Sequence, residues 1–399
     1  MIVGKFPIAS LSKFDTPYYY YDMDVLRETL QVLHEETNEP QWHVHYAIKA
    51  CATSAILQTI SASGLGADCV SGGEIRAAIT TGFPANKIVF AGVAKTDKEI
   101  KYALEQEIQC FNVESTEELT VISQLAQTAG VRARVCLRVN PNVDAHTHAK
   151  ITTGLSENKF GIPMRFLPEA VKLCYRLPAV DFLGLHFHIG SQITDMQPFE
   201  TLARRINELV QDIEQLNCTD ENGNSVPATV THINVGGGLG ILYEHPNHFP
   251  IPNFKDYFAT WRKGLSLRPG QHLHFELGRS IVAQCGNLIT RVLYVKHGEN
   301  KQFAIVDAGM TDLIRPALYG AFHRVENLTH PDDEEQLYDI VGAICESSDV
   351  FVKGYRIAAV RRGDLLAMRS AGAYGEIMAS QYNLRRLPGH VISDNIAHE

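Results

Sequence analysis

The chain has 399 residues, 45% of them apolar, with 30 glycines and 17 prolines, enough for one large domain with a smaller one or for two to three average domains. That apolar content excludes disorder over most of the length, and a formal charge of −9 argues against a protein built mainly to grip nucleic acid or acidic lipid. No apolar run is long enough to span a bilayer, and the opening MIVGKFPIASLSKFDTPYYYYD lacks the apolar core of a secretory signal.

From about residue 25 short apolar strands alternate with amphipathic helices. HVHYAIK (43–49), LGADCV (65–70), KIVFAG (87–92), QCFNVE (109–114), ARVCLRVN (133–140), DFLGLHFHI (181–189), THINVG (231–236) and HLHFEL (272–277) read as strands. They are rich in Val, Ile, Phe and His and are bounded by Gly, Pro, Asn and Ser. Helical patterns fall between them, among them TSAILQTISAS, EIRAAITTG, DKEIKYALEQE, EELTVISQLAQTAG, LPEAVKLCYRL, PFETLARRINELVQDIEQL and NFKDYFATWRKGL. Ser71 with Glu74, Thr96 with Glu99 and Ser115 with Glu118 each fit the S/T-x-x-E capping pattern directly after a strand. The strand count favours a (β/α)8 TIM-type barrel over a doubly wound sheet. Beyond it SIVAQCGNLITRVLYVKHG, QFAIVDAG, YDIVGAICES and GDLLAMRSAGAYG are β-like, and TPYYYYD, which precedes the barrel pattern, is expected to pair with them. The expected architecture is α/β: a cofactor-binding barrel over 25–275, and a mostly β second domain built from 1–24 and 276–399. Eight scattered cysteines without a CxxC pair read as reduced thiols of a cytoplasmic protein.

In such barrels functional groups collect at the carboxyl ends of the strands. Lys49 ends the first strand, Asp68 lies in the second, and His186 and His188 end the sixth. Gly236, Gly237, Gly238 and Gly240 follow the seventh, and Glu276 ends the eighth, with Gly278 and Arg279 just beyond. A desolvated lysine after YAI favours the free amine that attacks a carbonyl, although a lone lysine more often reaches out to solvent. NVGGGLG offers backbone N–H groups that can cradle a phosphate; a tight turn explains it equally well, and it is neither a P-loop nor GxGxxG. His186 and His188 share a strand face, yet no HExxH or third ligand accompanies them, so no metal is expected. One of the two suits stacking on a flat cofactor, and His186 reads better as a hydrogen-bonded core residue. Glu276 needs a proton or a cation nearby, and Arg279 is a candidate salt-bridge partner. Cys345 and Glu346 in CESSD offer an acid and an anion, and Tyr374 sits in the turn AGAYG; a buried thiol and a turn tyrosine are the plainer alternatives. Together the amine, ring, phosphate loop and carboxylate complement pyridoxal 5′-phosphate group by group.

The segments YAIKA, ADCVSGGE, FNVES, RVNPNVDAHTHAKITTGLSENKFGI, GLHFHIGSQ, INVGGGLG, FELGRS, IRPALYGA, CESSD and AGAYG occur in order from about residue 15 to about residue 385. In this order they resemble the diaminopimelate decarboxylases, pyridoxal-phosphate enzymes of the alanine-racemase-like fold class. FAGVAK (90–95) departs from a more polar segment, and Ala343 stands where proline is usual. The resemblance implies that Lys49 carries the cofactor as a Schiff base, that His188 stacks on its ring, and that Glu276 keeps the ring nitrogen protonated. Ser191 and the Gly237–Gly240 loop would hold the phosphate with backbone from Glu276 through Gly278 to Arg279, and Asp68 belongs to the same cofactor set. Arg279, Arg315 and Tyr319 would hold the substrate's distal carboxylate, Glu346 its distal ammonium, and Tyr374 would touch both cofactor and substrate. The implied reaction takes meso-2,6-diaminopimelate to L-lysine and CO2, the last step of lysine biosynthesis, with Cys345 as the acid that protonates the carbanion. The implied assembly is a homodimer whose subunits lend Cys345 and Glu346 to each other.

The nearest alternatives are decarboxylases of the same class acting on carboxynorspermidine, ornithine or arginine; ornithine has no distal carboxylate to occupy two arginines. A racemase would need a second base opposite Lys49. A non-catalytic homologue would be expected to lose Lys49 or Cys345, and both are present. A cofactor-free Schiff-base aldolase would leave the glycine loop and Glu276 without a purpose.

Overall fold

Strands too short to stand alone close into a ring by pairing edge to edge with strands that lie far along the chain. The computed structural model describes residues 6–143 and 159–396; the DAHTHAKITTGLSEN part of the long motif lies outside them. Eight parallel strands, Trp42–Ala47, Gly66–Cys69, Ile88–Phe90, Cys110–Val113, Ala133–Asn140, Val180–His186, His232–Asn234 and His272–Leu277, pair in that order, and the last pairs back with the first. The expected barrel is therefore what the chain forms. Seven helices accompany the strands: Ser54–Ala62, Gly72–Thr80, Asp97–Glu105, Thr116–Ala129, Leu167–Arg176, Gln197–Glu214 and Phe254–Gly264.

All three hydroxyl caps form, with Ser71, Thr96 and Ser115 accepting from the N–H of Glu74, Glu99 and Glu118. Only Thr96 and Glu99 complete the reciprocal box. Glu74 and Glu118 reach one residue further back, to the N–H of Val70 and Glu114, and so tie each strand end to the following helix.

Alternation along the strands sorts the barrel into two faces. Leu273, Phe275 and Leu277 of HLHFEL belong to the apolar set, and the Phe275 ring packs against Trp42 at 5.2 Å and Phe258 at 5.0 Å, with Tyr257 and Trp261 beside it. The intervening His272, His274 and Glu276 fall in register with His43, His45, His232 and Asn234 of the neighbouring strands, giving a polar ladder.

By its contacts the chain divides into this barrel unit, Gln31–Gly240 with Asn253–Gly278, and a β-rich unit, Met1–Leu30, Ile241–Pro252 and Arg279–Glu399. In the latter Tyr18–Tyr21 lies antiparallel to Gly286–His297 and parallel to Gly389–Ile392, so the YYYY segment does pair into the β sheet. The sheet continues through Val325–Asn327, Leu365–Met368, Gln302–Val306, Glu335–Val341 and Val350–Ala358. One expectation is corrected: SIVAQC is not strand. Arg279–Val282 forms a helical turn, and the strand starts only at Gly286, where a Cβ would fall 2.3 Å from the Gly372 backbone. Val350–Ala358 escapes the apolar pattern because Lys353 and Arg356 face water and Gly354 takes a φ of +57°. Among the described residues no helix is long and apolar enough to cross a membrane.

Candidate active site

The barrel residues singled out from the sequence gather beyond or within the strand ends, with two local corrections. Lys49 does not end a strand. The strand stops at Ala47, and Lys49 sits on the single helical turn Ile48–Ala50, which directs its Nζ to Asp68 Oδ2 at 3.0 Å. Likewise His186 is the last residue of its strand and His188 lies two residues past it, so they do not share a strand face.

Asp68 is fully buried, and its Oδ1 has no hydrogen-bond partner. Burial, and then the nearby charge of Glu276, push its carboxyl above the usual range against the pull of Lys49. Glu276 moves the opposite way. Oε1 accepts from Asn112 Nδ2 at 2.9 Å and Asn234 Nδ2 at 2.8 Å, and Oε2 accepts from His186 Nε2 at 3.0 Å. Burial opposes ionisation, but His186 and its hydrogen bond, with Lys49, hold this carboxyl well below the ordinary range. Since a carboxylate only accepts, the His186 proton on this side is on Nε2. The expected structural role of His186 thus has a specific object.

His188 Nδ1 accepts from the Gly237 N–H at 3.3 Å. Burial, followed by the charges of Arg138 and Lys49, pushes its pKa well below 6.5, which leaves a neutral ring. In the glycine turn, the Gly236 N–H goes to Asn234 Oδ1 and the Gly240 N–H to the Ile193 carbonyl. The N–H groups of Gly238 and Leu239 have no protein acceptor among the described residues. Side chains are excluded here: a Cβ on Gly237 would sit 1.9 Å from the Glu276 carbonyl oxygen, and one on Gly236, at φ +71°, 2.2 Å from that of Phe187. Ser191 follows Gly190 at the same strand end, half-buried, and Gly278 is packed against the Cβ atoms of Ala47 and Ala50.

The remaining expected residues lie in the β-rich unit. Arg279 and Arg315 are buried, and the Nη1 of each lies 2.7 Å from Tyr243 Oη. The Arg279 guanidinium also lies over the Tyr374 ring, 4.9 Å from its centroid. Tyr374 takes a φ of +58°, and Tyr319 ends the short helix Arg315–Tyr319, half-buried. Cys345 is exposed, and Glu346 accepts from Tyr382 Oη at 2.6 Å and Ser348 Oγ at 3.1 Å. Their loop is pinned by Asp349, whose carboxylate accepts from the N–H of Ile344 and Met310, each at 2.6 Å.

Four residues escaped the sequence reading: Asn112, Asn234, Tyr243 and Lys95. Buried Lys95 donates to the Gly92 and Asn112 carbonyls and to Glu118, so the unusual FAGVAK loop is stapled to the residue whose amide supports Glu276. Of the two asparagines only Asn112 carried a signal, as the one polar residue of Cys110–Val113 other than its cysteine; Asn234 shares its short strand with His232.

Residues 24–283 match the family described as "Pyridoxal-dependent decarboxylase, pyridoxal binding domain". The diaminopimelate decarboxylase of Bacteroides thetaiotaomicron is 57% identical over 394 residues, covering 98% of this chain and 99% of that one. The crystal structure of diaminopimelate decarboxylase from Helicobacter pylori complexed with L-lysine superposes with a TM-score of 0.88 at 37% identity, covering 96% of this chain and 92% of that one. A lysine/ornithine decarboxylase from Vibrio vulnificus, 21% identical, shares the fold with a TM-score of 0.82 over 97% of each chain. The chain belongs to the diaminopimelate decarboxylase family of pyridoxal-dependent decarboxylases.

Proposed function

We propose that this chain removes one carboxylate of meso-2,6-diaminopimelate as CO2 and releases L-lysine, the last step of lysine biosynthesis, with pyridoxal 5′-phosphate as cofactor. The observation that carries the substrate choice is the convergence of Arg279 and Arg315 on one buried oxygen, each at 2.7 Å. Two guanidinium groups suit a substrate that keeps a second carboxylate at its far end. Ornithine and arginine have none.

The barrel residues fit the cofactor. Lys49 Nζ would hold its aldehyde carbon, and Asp68, with one buried oxygen unpartnered, places an anion beside that amine. Glu276, kept ionised by its three donors, would hold a proton on the ring nitrogen, and neutral His188 would lie against the ring. Ser191 and the Gly238 N–H would take the phosphate, with Gly237, Gly240 and Gly278 keeping the backbone close. When bound, the cofactor supplies a protonated conjugated ring that accepts the electron pair left by departing CO2.

Arg279, Arg315 and Tyr319 would fix the distal carboxylate, so that the other is the one lost. Glu346 would pair with the distal ammonium, and Tyr374 would brace cofactor and substrate. The Cys345 thiol would deliver the proton that replaces the lost carboxylate. Exposed Cys345 and Glu346 would act in a homodimer, each subunit lending them to the other, so an isolated monomer would be inactive.

The test is turnover of meso-diaminopimelate, ornithine, arginine and carboxynorspermidine, each supplied separately to the cofactor-loaded protein under equal conditions. Lysine and CO2 in equal amounts from the first are expected; faster turnover of ornithine refutes the assignment. Borohydride reduction and peptide mapping should place the cofactor on Lys49, and a colourless protein that takes up no cofactor would remove the basis of the reading.

A further inference from the structure

One phenolic oxygen receives two guanidinium groups. Arg279 Nη1 and Arg315 Nη1 each lie 2.7 Å from Tyr243 Oη, and the Arg315 guanidinium also lies over the Tyr243 ring, 5.1 Å from its centroid. All three side chains are buried, with Tyr243 7%, Arg279 7% and Arg315 5% exposed. His323 packs edge-on against Tyr243 at 5.1 Å, and burial, then the charge of Arg315, pushes its pKa down to about 3. A neutral His323 adds no charge of either sign. Burial opposes ionisation of Tyr243, yet the two guanidinium groups prevail and lower its pKa below the ordinary phenol value.

A phenol has two lone pairs and one proton. With both lone pairs accepting from the arginines, the Tyr243 proton is the part that can still bond outward, and each guanidinium retains further N–H donors. Like-charged groups do not crowd onto a single point unaided, so an acceptor must hold them there.

We infer that Tyr243 is a positioning residue for substrate choice: its oxygen pins Arg279 and Arg315 about one point and, with its own hydroxyl proton, turns them into a receptor for a carboxylate. The inference rests on the proposed decarboxylase reading, in which that carboxylate is the distal one. The lysine product retains this carboxylate, whereas a diamine such as cadaverine has none. A substrate with a distal ammonium in place of the carboxylate would set a cation against two guanidinium groups, which is rejection by repulsion as well as by lost contacts.

The test uses the cofactor-loaded wild type with Y243F and Y243Q. For Y243F, the KM for meso-diaminopimelate and the dissociation constant of L-lysine are each expected to rise by about tenfold or more, while kcat stays within about threefold. Cadaverine binding and the cofactor spectrum stay unchanged. Y243Q, whose amide oxygen accepts as the phenol does, recovers part of the lost affinity. An unchanged L-lysine affinity in Y243F overturns the inference, and so does an equal weakening of L-lysine and cadaverine, which marks a merely structural role. If Y243F does not accumulate folded, the wild type decides alone. Its affinity for L-lysine should fall on the alkaline side as the phenol ionises and takes both guanidinium groups for itself, and a cadaverine control at each pH corrects for titration of the ligand amines. A ratio of the two affinities that stays flat overturns the inference. A wild type that binds L-lysine but forms none from meso-diaminopimelate would sink the proposed function, while the binding comparison still judges Tyr243.

Discussion

His45 offers a quantitative test of how the barrel interior is held. Its Nδ1 lies 3.1 Å from the Lys87 carbonyl, and its Nε2 lies 3.0 Å from Nδ1 of His274. A carbonyl only accepts, so Nδ1 carries the proton and Nε2 receives one from His274. A second proton on His45 would force His274 to shift its own proton to Nε2 and would add a charge inside a buried stack of rings. Burial, the largest cause, pushes the His45 pKa from 6.5 down to about 4. The folded state therefore keeps His45 neutral while the unfolded chain binds a proton below 6.5. Its share of stability is complete above that value and drains away as the pH falls toward 4. The displacement corresponds to about 3 kcal/mol in full, of which about 2 kcal/mol is lost between about pH 7.5 and about pH 5. The perturbation is His45→Gln, which keeps an amide donor and acceptor but does not titrate. Both tryptophans of the chain, Trp42 and Trp261, lie in the barrel unit, so urea unfolding followed by their fluorescence reports on it. H45Q is expected to be less stable at neutral pH, yet to lose about 2 kcal/mol less than the wild type on acidification. Equal losses in the two proteins would show that His45 does not titrate in the folded barrel's disfavour, and the reasoning would fall.

Other perturbations separate support from chemistry. Asn112→Leu removes one of the two amides on Glu276 Oε1, about 1–3 kcal/mol of support for the anion. Fewer donors favour the protonated carboxyl, so the acid limb of the kcat/KM profile should move to higher pH; an unmoved limb with lowered activity would refute the support role. Cys345→Ala should leave the cofactor spectrum intact and slow lysine formation by about 100-fold or more, and an unchanged rate would remove the thiol from the reaction. Thr96→Ala breaks a complete capping box and should cost about 1 kcal/mol in urea unfolding without touching the cofactor spectrum.

The barrel was legible because its signals are local and repeated. Most strands from HVHYAIK to HLHFEL announced themselves by branched and aromatic residues, and the three hydroxyl caps marked where helices begin. Lys49, Glu276 and the glycine turn stood out as candidates because they are unusual residues in or just after apolar strands. What failed was anything set by geometry across the chain. The helical turn that carries Lys49 hangs on three residues, Ile48–Ala50, with no distinctive sequence. SIVAQC looks like a strand because Ile281, Val282 and Cys285 are apolar; they are apolar because the turn is buried on all sides. Tyr243 stands in a stretch, Ile241–Pro252, that interrupts the barrel pattern and clusters with the β-rich unit, and no spacing rule reveals that its oxygen meets arginines 36 and 72 residues away.

The period-2 ladder explains why one barrel interior sustains opposite demands. Along a single strand His272, His274 and Glu276 alternate with Leu273, Phe275 and Leu277, so one register places three polar groups inside and three apolar groups against the helices. At the start of that strand the partners of the polar groups are other histidines, His43 for His272 and His45 for His274, and burial lowers the pKa of His43, His45 and His274. At its end the partners are Asn112, Asn234 and His186, whose donors stabilise an anion. The chain thus sets histidines whose charging burial opposes and a carboxylate held ionised on the same strand with the same spacing. A shift of register by one residue would reverse both at once by turning Phe275 inward. Glu276 can remain ionised at full burial because the donors that stabilise its charge are fixed by strand pairing, before any substrate or cofactor arrives.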